Sequence, residues 1–464
     1  MLKYTSILFC LLVCYSHSVF SQNMTRVKQN IQNLAAANMF GRGYVFEGEK
    51  KAALYIAQEF KNANIKAYPQ KIKSSLVIKN KQEKKLATYF QPFSLPINTF
   101  PETPYLRIEF IDNDTTKNNT APTYNITNLE AGKDFIIAPN SFGKTGNGKI
   151  YIVDTLLFSQ NETAITNFLA TNLTNKIVTY HSRFEKELYN LPTSLLRHWF
   201  SAQAFIKISP KLTMSLANAA TMQPTFEVLD TKWELLTKQN TITEANFSIT
   251  NKVIENYETQ NVIGYLKGTS KTDSMIVFSA HYDHLGSLGK EVVFYGANDN
   301  ASGISMLIEL ANYYSKNPPP CDIIFMAFGA EEAGLLGSKF FTENPLVDLS
   351  KIKLFINLDL VGTGDDGLGI VNATVFPKQY SNFENTNQQL GYFSKVIKRG
   401  KAANSDHYFF SEKGVPAFFI YTLGGTQAYH DIDDKAESLP LTKYDKLFEL
   451  LVQWVGLETK SKTK

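Results

Sequence analysis

Cysteine is scarce in this 464-residue chain: there are three, and two of them, Cys10 and Cys14, lie in the first 21 residues. If that leader is removed, only Cys321 remains and no internal disulfide can form, so stability must come from the core and from any bound metal. Charge is also sparse, with 19% charged residues and a formal net charge of +4 over the whole length. No strongly basic face is available, which weighs against nucleic-acid binding. Long apolar runs are missing beyond the leader, since no later stretch reaches the roughly 18 to 20 apolar residues of a membrane helix. No stable membrane insertion is therefore expected once the leader is gone.

The leader itself, residues 1–21, reads as a secretory signal, with Lys3 ahead of the apolar run Ile7 to Val13 and small-residue cleavage geometry at Val19-Phe20-Ser21. The mature chain would begin near Gln22 and be exported to the periplasm, the cell surface or the medium. An uncleaved anchor is the competing account. A lipid-attachment box at Leu11-Leu12-Val13-Cys14 is disfavoured by the bulky Val13.

A hydrophobic content of 44% over this length supplies more than one core. Residues 24–65 read as helical, with Ala53, Ile56, Ala57 and Phe60 on one face, and residues 66–100 as short β-type segments that include Leu86 to Phe90. From 101 to 248 the chain turns to Asn/Thr-rich loops and short apolar runs, which predicts a β-rich inserted domain with a helix around Leu195 to Phe200. His181 and His198 in this region have no sequence partners and read as structural. From Val262 onward, apolar strands (Met275 to Phe278, Ile323 to Phe328, Leu354 to Leu358, Ala417 to Tyr421) alternate with helical patterns. Strands buried on both faces need helices on both sides, so residues 22–100 and 249–464 are expected to form a three-layer α/β/α domain with a mostly parallel, mixed central sheet.

Metal-type side chains follow several of these strands. His281 and Asp283 stand two apart after the Met275 strand, a spacing that suits a ligand and its supporter. Asp299 precedes a helix, where it is either a helix cap or a carboxylate shared by two cations. Glu331 and Glu332 follow the longest apolar strand; one can bind metal while the other reaches its water. Asp359 lies between Leu358 and Leu360, a costly place for an unpaired carboxylate, and His430 completes the set. Mixed imidazole and carboxylate donors without thiolate point to zinc, with cobalt or manganese as substitutes.

These residues carry a resemblance. Ala280-His281-Tyr282-Asp283-His284-Leu285-Gly286, Gly296-Ala297-Asn298-Asp299-Asn300-Ala301-Ser302-Gly303, Gly329-Ala330-Glu331-Glu332-Ala333-Gly334, Asn357-Leu358-Asp359 and Tyr429-His430 form an ordered set similar to that of the di-zinc aminopeptidases related to glutamate carboxypeptidase, glutaminyl cyclase and the transferrin receptor. The resemblance implies two Zn2+ per chain: His281 and Asp359 on one, Glu332 and His430 on the other, Asp299 bridging. It implies Glu331 as general base, Asp283 as the support of His281, and Tyr429 as a group that helps polarise the scissile carbonyl. Ser405-Asp406-His407 resembles a stretch near the substrate cleft. Asp431 stands where the family commonly has Thr, and Asp434 keeps a later acid. Some relatives carry a protease-associated domain where residues 101–248 stand. The function this implies is an exported metallopeptidase that removes N-terminal residues from peptides with a free amino terminus. A glutaminyl cyclase-like acyltransferase with one zinc and a non-catalytic binding protein on the same scaffold are the other readings. Side-chain preference and oligomeric state are not legible in the sequence.

Overall fold

The computed structural model of the protein describes residues 22–68, 80–113, 124–238 and 240–459, so the expected leader lies outside the described residues. A nine-stranded sheet positions the metal-type side chains. Its spatial order is Lys66–Ala67, Lys252–Leu266, Asp322–Phe328, Met275–His281, Ile352–Leu358, Ala417–Leu423, Gly367–Val371 and Val396–Lys398, with Phe90–Thr99 also paired to Lys252–Leu266. The four strands from Asp322–Phe328 to Ala417–Leu423 are mutually parallel, and antiparallel strands flank them on both sides. Because those four run the same way, their carboxyl ends open onto one edge, where α/β sheets hold ligands. Ser279 is level with Asn357, and His281 with Phe328, which brings the segments after three separate strands together.

Successive residues of these strands face opposite layers. Phe278, Ile323, Phe325 and Ile356 pack with residues of helices Met24–Leu34, Gly48–Asn62, Gly303–Lys316 and Tyr444–Thr459, while Val277, Ile324, Met326 and Phe355 pack with Phe341 and Phe410 of helices Leu336–Glu343 and His407–Glu412. The apolar runs thus form the buried middle of three layers. Truncating a fully buried ring such as Phe325 to Ala would cost about 3–5 kcal/mol. Cys321 is free and buried. Among the described residues no helix is long and apolar enough to cross a membrane.

Leu86 to Tyr89 are not strand, contrary to the expectation from their apolar residues. They close helix Lys81–Leu86 and the single 3-10 turn Ala87–Tyr89, after which strand Phe90–Thr99 begins. The reason is local: the Asn80 side chain accepts from the N–H groups of Gln82 and Glu83 and caps a run of good helix formers.

A second sheet of eight strands is built within residues 105–249, in the order Tyr124–Asn128, Tyr105–Asp112, Asn240–Ile249, Lys144–Ile152, Lys176–His181, Ala204–Ser209, Thr225–Leu229 and Phe135–Ile137. Its strands from Lys144–Ile152 to Thr225–Leu229 are parallel. Helix Glu162–Ala170 and the pair Glu185–Tyr189 and Thr193–Trp199 lie in the first two crossovers between these strands, so the insert is a mixed unit, β-rich but with its own helices. Its core does not stop at its boundary. Phe100, Leu212 and Met214 share an apolar cluster with Leu285, Leu288, Val292 and Phe294, which belong to the loop after strand Met275–His281.

Candidate metal centre

The structure brings His281, Asp299, Glu331, Glu332, Asp359 and His430 into one cleft of about 240 Å3, which Tyr429, Phe419, Tyr421 and Arg399 also line. His281 Nε2 lies 3.3 Å from Asp299 Oδ1 and 3.2 Å from Asp359 Oδ1. His430 Nε2 lies 3.1 Å from Asp299 Oδ2 and 3.2 Å from Glu332 Oε2. The two oxygens of Asp299 are thereby divided between the two histidines, as a bridging carboxylate requires. Asp299 is not a helix cap. The adjacent Asn300 takes that work, accepting from Gly303 N at 2.9 Å and donating to Leu358 O at 3.0 Å.

Each imidazole is used on both sides. His281 Nδ1 is 3.2 Å from Asp283 O, and His430 Nδ1 is 3.0 Å from Met214 O. A backbone carbonyl can only accept, so Nδ1 carries the proton in both rings, and each Nε2 is either protonated or turned to a cation. Donor separations of 3.1–3.3 Å match the edges, about 3.3 Å, of a tetrahedron with bonds of about 2.0–2.1 Å. The cluster also carries an excess of buried carboxylates. Burial, then the neighbouring Glu332, Asp359 and Asp406, push the Glu331 carboxyl well above its usual range despite the opposing pull of His281. Burial opposes charge on His430, yet Glu332 and Asp299 raise its pKa to about 11. Such crowding is relieved by divalent cations, and the donor set fits zinc.

Among the described residues, donor-atom distance alone groups His281 with Glu331 and Asp359, and His284 with Asp299 and Glu332. We instead pair His430 with Asp299 and Glu332, because its Nε2 lies within 3.2 Å of an oxygen of each, whereas His284 Nδ1 approaches Glu332 but stands 4.0 Å from Asp299.

Asp283 does not support His281 in the way its spacing suggests. Its backbone oxygen faces His281 Nδ1, while its carboxylate, 3.9 Å from that nitrogen, accepts from Glu331 N at 3.0 Å and Glu332 N at 3.2 Å. It therefore fixes the Glu331-Glu332 turn. Ser405 joins the site by donating to Asp359 Oδ2 at 2.9 Å, and itself accepts from Asn357 Nδ2 at 2.8 Å. Asp434 accepts from Asn298 N and Asp299 N at 2.8 and 3.0 Å. Asp431 pairs with Lys211 of the insert at 3.2 Å and accepts from Tyr429 N, so the departure from Thr is locally satisfied. Tyr429 is 44% exposed and stacks on His430 with ring centroids 3.9 Å apart, its hydroxyl-bearing ring on the cleft wall. His181 and His198 stay away from the cleft; His198 Nε2 is 3.0 Å from Phe168 O.

Three participants carried no usable sequence signal. Arg42 is fully buried and donates to the carbonyls of Leu34, Tyr282, Tyr295, Gly296 and Asp299. Met214 acts through its backbone, and His284, although adjacent to the expected ligands, had no partner that spacing could identify.

Residues 261–455 match the profile of Peptidase family M28. Aminopeptidase YwaD of Bacillus subtilis (strain 168) is 30% identical over 243 residues, which are 50% of this chain and 50% of that protein. A vacuolar membrane protease of Candida glabrata is 28% identical over 220 residues, 46% of this chain and 22% of that protein. The chain thus spans half or less of the length of these curated relatives. Among solved structures, a zinc aminopeptidase from Bacillus subtilis aligns with TM-score 0.65 and 21% identity over 96% of this chain and 97% of that one. An aminopeptidase from Aneurinibacillus sp. strain AM-1 aligns with TM-score 0.59 and 20% identity over 95% and 94%. The shared fold therefore includes both sheets.

Proposed function

We propose that this chain, which carries a Peptidase family M28 segment at residues 261–455, is an aminopeptidase that binds two zinc ions and removes N-terminal residues from peptides with a free amino terminus. The observation that carries this reading is the division of the Asp299 oxygens between His281 Nε2 and His430 Nε2. His281, Asp359 and Asp299 would hold one zinc, and His430, Glu332 and Asp299 the other. When bound, the pair supplies Lewis-acid polarisation of the peptide carbonyl and lowers the pKa of water.

Glu331 is the residue placed to take the proton from the attacking water and return it to the leaving amine. It is part-buried, its backbone N–H is held by Asp283, and its carboxylate lies within reach of His281 and Asp359. Tyr429, which lines the cleft with its ring stacked against His430, is suited to hydrogen-bond the carbonyl oxygen as negative charge builds there.

Elemental analysis of the purified protein combined with hydrolysis of matched unblocked and N-acetylated peptides tests the reading. Two zinc per chain and cleavage of unblocked peptides alone are expected. Equal cleavage of N-acetylated peptides would overturn the aminopeptidase assignment. One zinc with cyclisation of N-terminal glutamine would replace it with the cyclase reading.

A further inference from the structure

We infer that His284 is a positioning residue for one of the two metals: it holds the outer oxygen of Glu332 and thereby aims the inner one at the cation. This rests on the two-zinc reading above.

The two oxygens of Glu332 have different partners. Oε2 faces His430 Nε2 at 3.2 Å, on the metal side, and Oε1 accepts from His284 Nδ1 at 2.8 Å. His284 is fully buried and fixed from several directions. Its backbone N–H reaches Arg42 O at 3.3 Å, and its ring fills the space left by the missing side chain of Gly296. A Cβ there would come within 2.4 Å of His284 Cδ2. The ring is thus packed in place with Nδ1 toward Glu332.

The same device appears on the other metal. Asp359 offers Oδ1 to His281 Nε2, while its outer oxygen accepts from Ser405 Oγ at 2.9 Å. A carboxylate with one oxygen occupied by a neutral donor binds its cation through the other, and the orientation is fixed before metal arrives. The Glu332 side chain has one more rotatable bond than that of Asp359, so it gains more from such a hold.

His284 is not itself placed as a ligand. Its Nδ1 is 2.8 Å from Glu332 Oε1 and 4.0 Å from Asp299 Oδ1, the first a charge-assisted hydrogen-bond length and the second too long for two donors on one tetrahedral ion.

The test compares wild type, His284→Leu and His284→Asn, with zinc measured by elemental analysis after equilibration with graded concentrations of a competing chelator, and thermal melts of the metal-free chains as a control. The Asn amide nitrogen is attached to Cγ as His Nδ1 is, so it keeps the donor, and Leu removes it. In H284L one zinc equivalent should bind about 10–100-fold more weakly while the other is unchanged, and H284N should restore most of the loss. Unchanged affinity for both equivalents in H284L would overturn the inference and leave the two-zinc reading standing. Loss in H284N equal to that in H284L would also overturn it, marking His284 as a ligand or a packing residue. A wild type that holds fewer than two zinc would overturn both.

Discussion

His430 Nδ1 lies 3.0 Å from the backbone oxygen of Met214, a residue of the inserted domain, and Met214 N in turn donates to His430 O at 2.9 Å. The insert therefore fixes the tautomer and ring orientation of a histidine proposed as a zinc ligand. Lys211 secures the same segment through Asp431 and the carbonyl of Gln427. Because Lys211 is about half exposed, its ion pair contributes little to global stability. Lys211→Glu, which sets two carboxylates against each other, should leave the melting temperature nearly unchanged. It should weaken retention of the His430-side zinc by less than about 10-fold, since it acts one step beyond the direct contact. Chelator competition checks this, and equal weakening of both zinc equivalents would refute it.

Glu331→Gln separates a base from a ligand. The amide keeps the size of the side chain and the backbone bond to Asp283, but cannot take a proton. Turnover should fall by at least about 100-fold with zinc content preserved. Loss of one zinc equivalent would instead place Glu331 on the metal with His281 and Asp359, as donor distances alone allow.

Much of this site was readable in advance because its side chains follow the apolar strands that define the sheet: His281 ends one strand, and Glu331 and Asp359 lie just beyond two others. The supporting contacts were not readable, for physical reasons. The partner of His284 is 48 residues away and that of His430 is 216 residues away, and a backbone carbonyl such as that of Met214 leaves no side-chain trace. Asp283 illustrates a third limit. Its two-residue spacing from His281 suggested a carboxylate–imidazole pair, but the chain turns after the strand ends, and the carboxylate swings to the Glu331-Glu332 amides.

Arg42 ties together the loops that present His281 and Asp299, donating to five carbonyls from residues 34 to 299. Burial lowers its pKa to about 10 against the pull of Asp299, Asp434 and Asp283, so it stays charged at neutral pH. Lysine has three donors for these five acceptors. Arg42→Lys should therefore destabilise the protein by about 2–5 kcal/mol, read as a lower urea midpoint, and reduce zinc retention with it. An unchanged midpoint would mean that the loops hold themselves.

Glu49 gives a pH dependence that does not involve the metals. It sits in the first turn of helix Gly48–Asn62, 1% exposed, and accepts from Gln260 Nε2 at 2.7 Å and Tyr282 Oη at 3.3 Å. Burial raises its carboxyl from 4.5 to about 7, with hydrogen bonds from Tyr257, Thr259, Gln260 and Tyr282 limiting the rise. The unfolded chain gives up this proton near the lower value and the folded chain near the upper one. Between them the folded state binds more protons, so stability falls as pH rises through this window, and the full penalty is present above about pH 7. The span corresponds to about 3 kcal/mol. Glu49→Gln is neutral throughout, and its amide can use the surrounding hydroxyls as acceptors. Urea midpoints for the variant should lose that part of the decline between pH 5 and pH 8 and exceed wild type at pH 8. A variant with the wild-type slope would show that another buried group sets it.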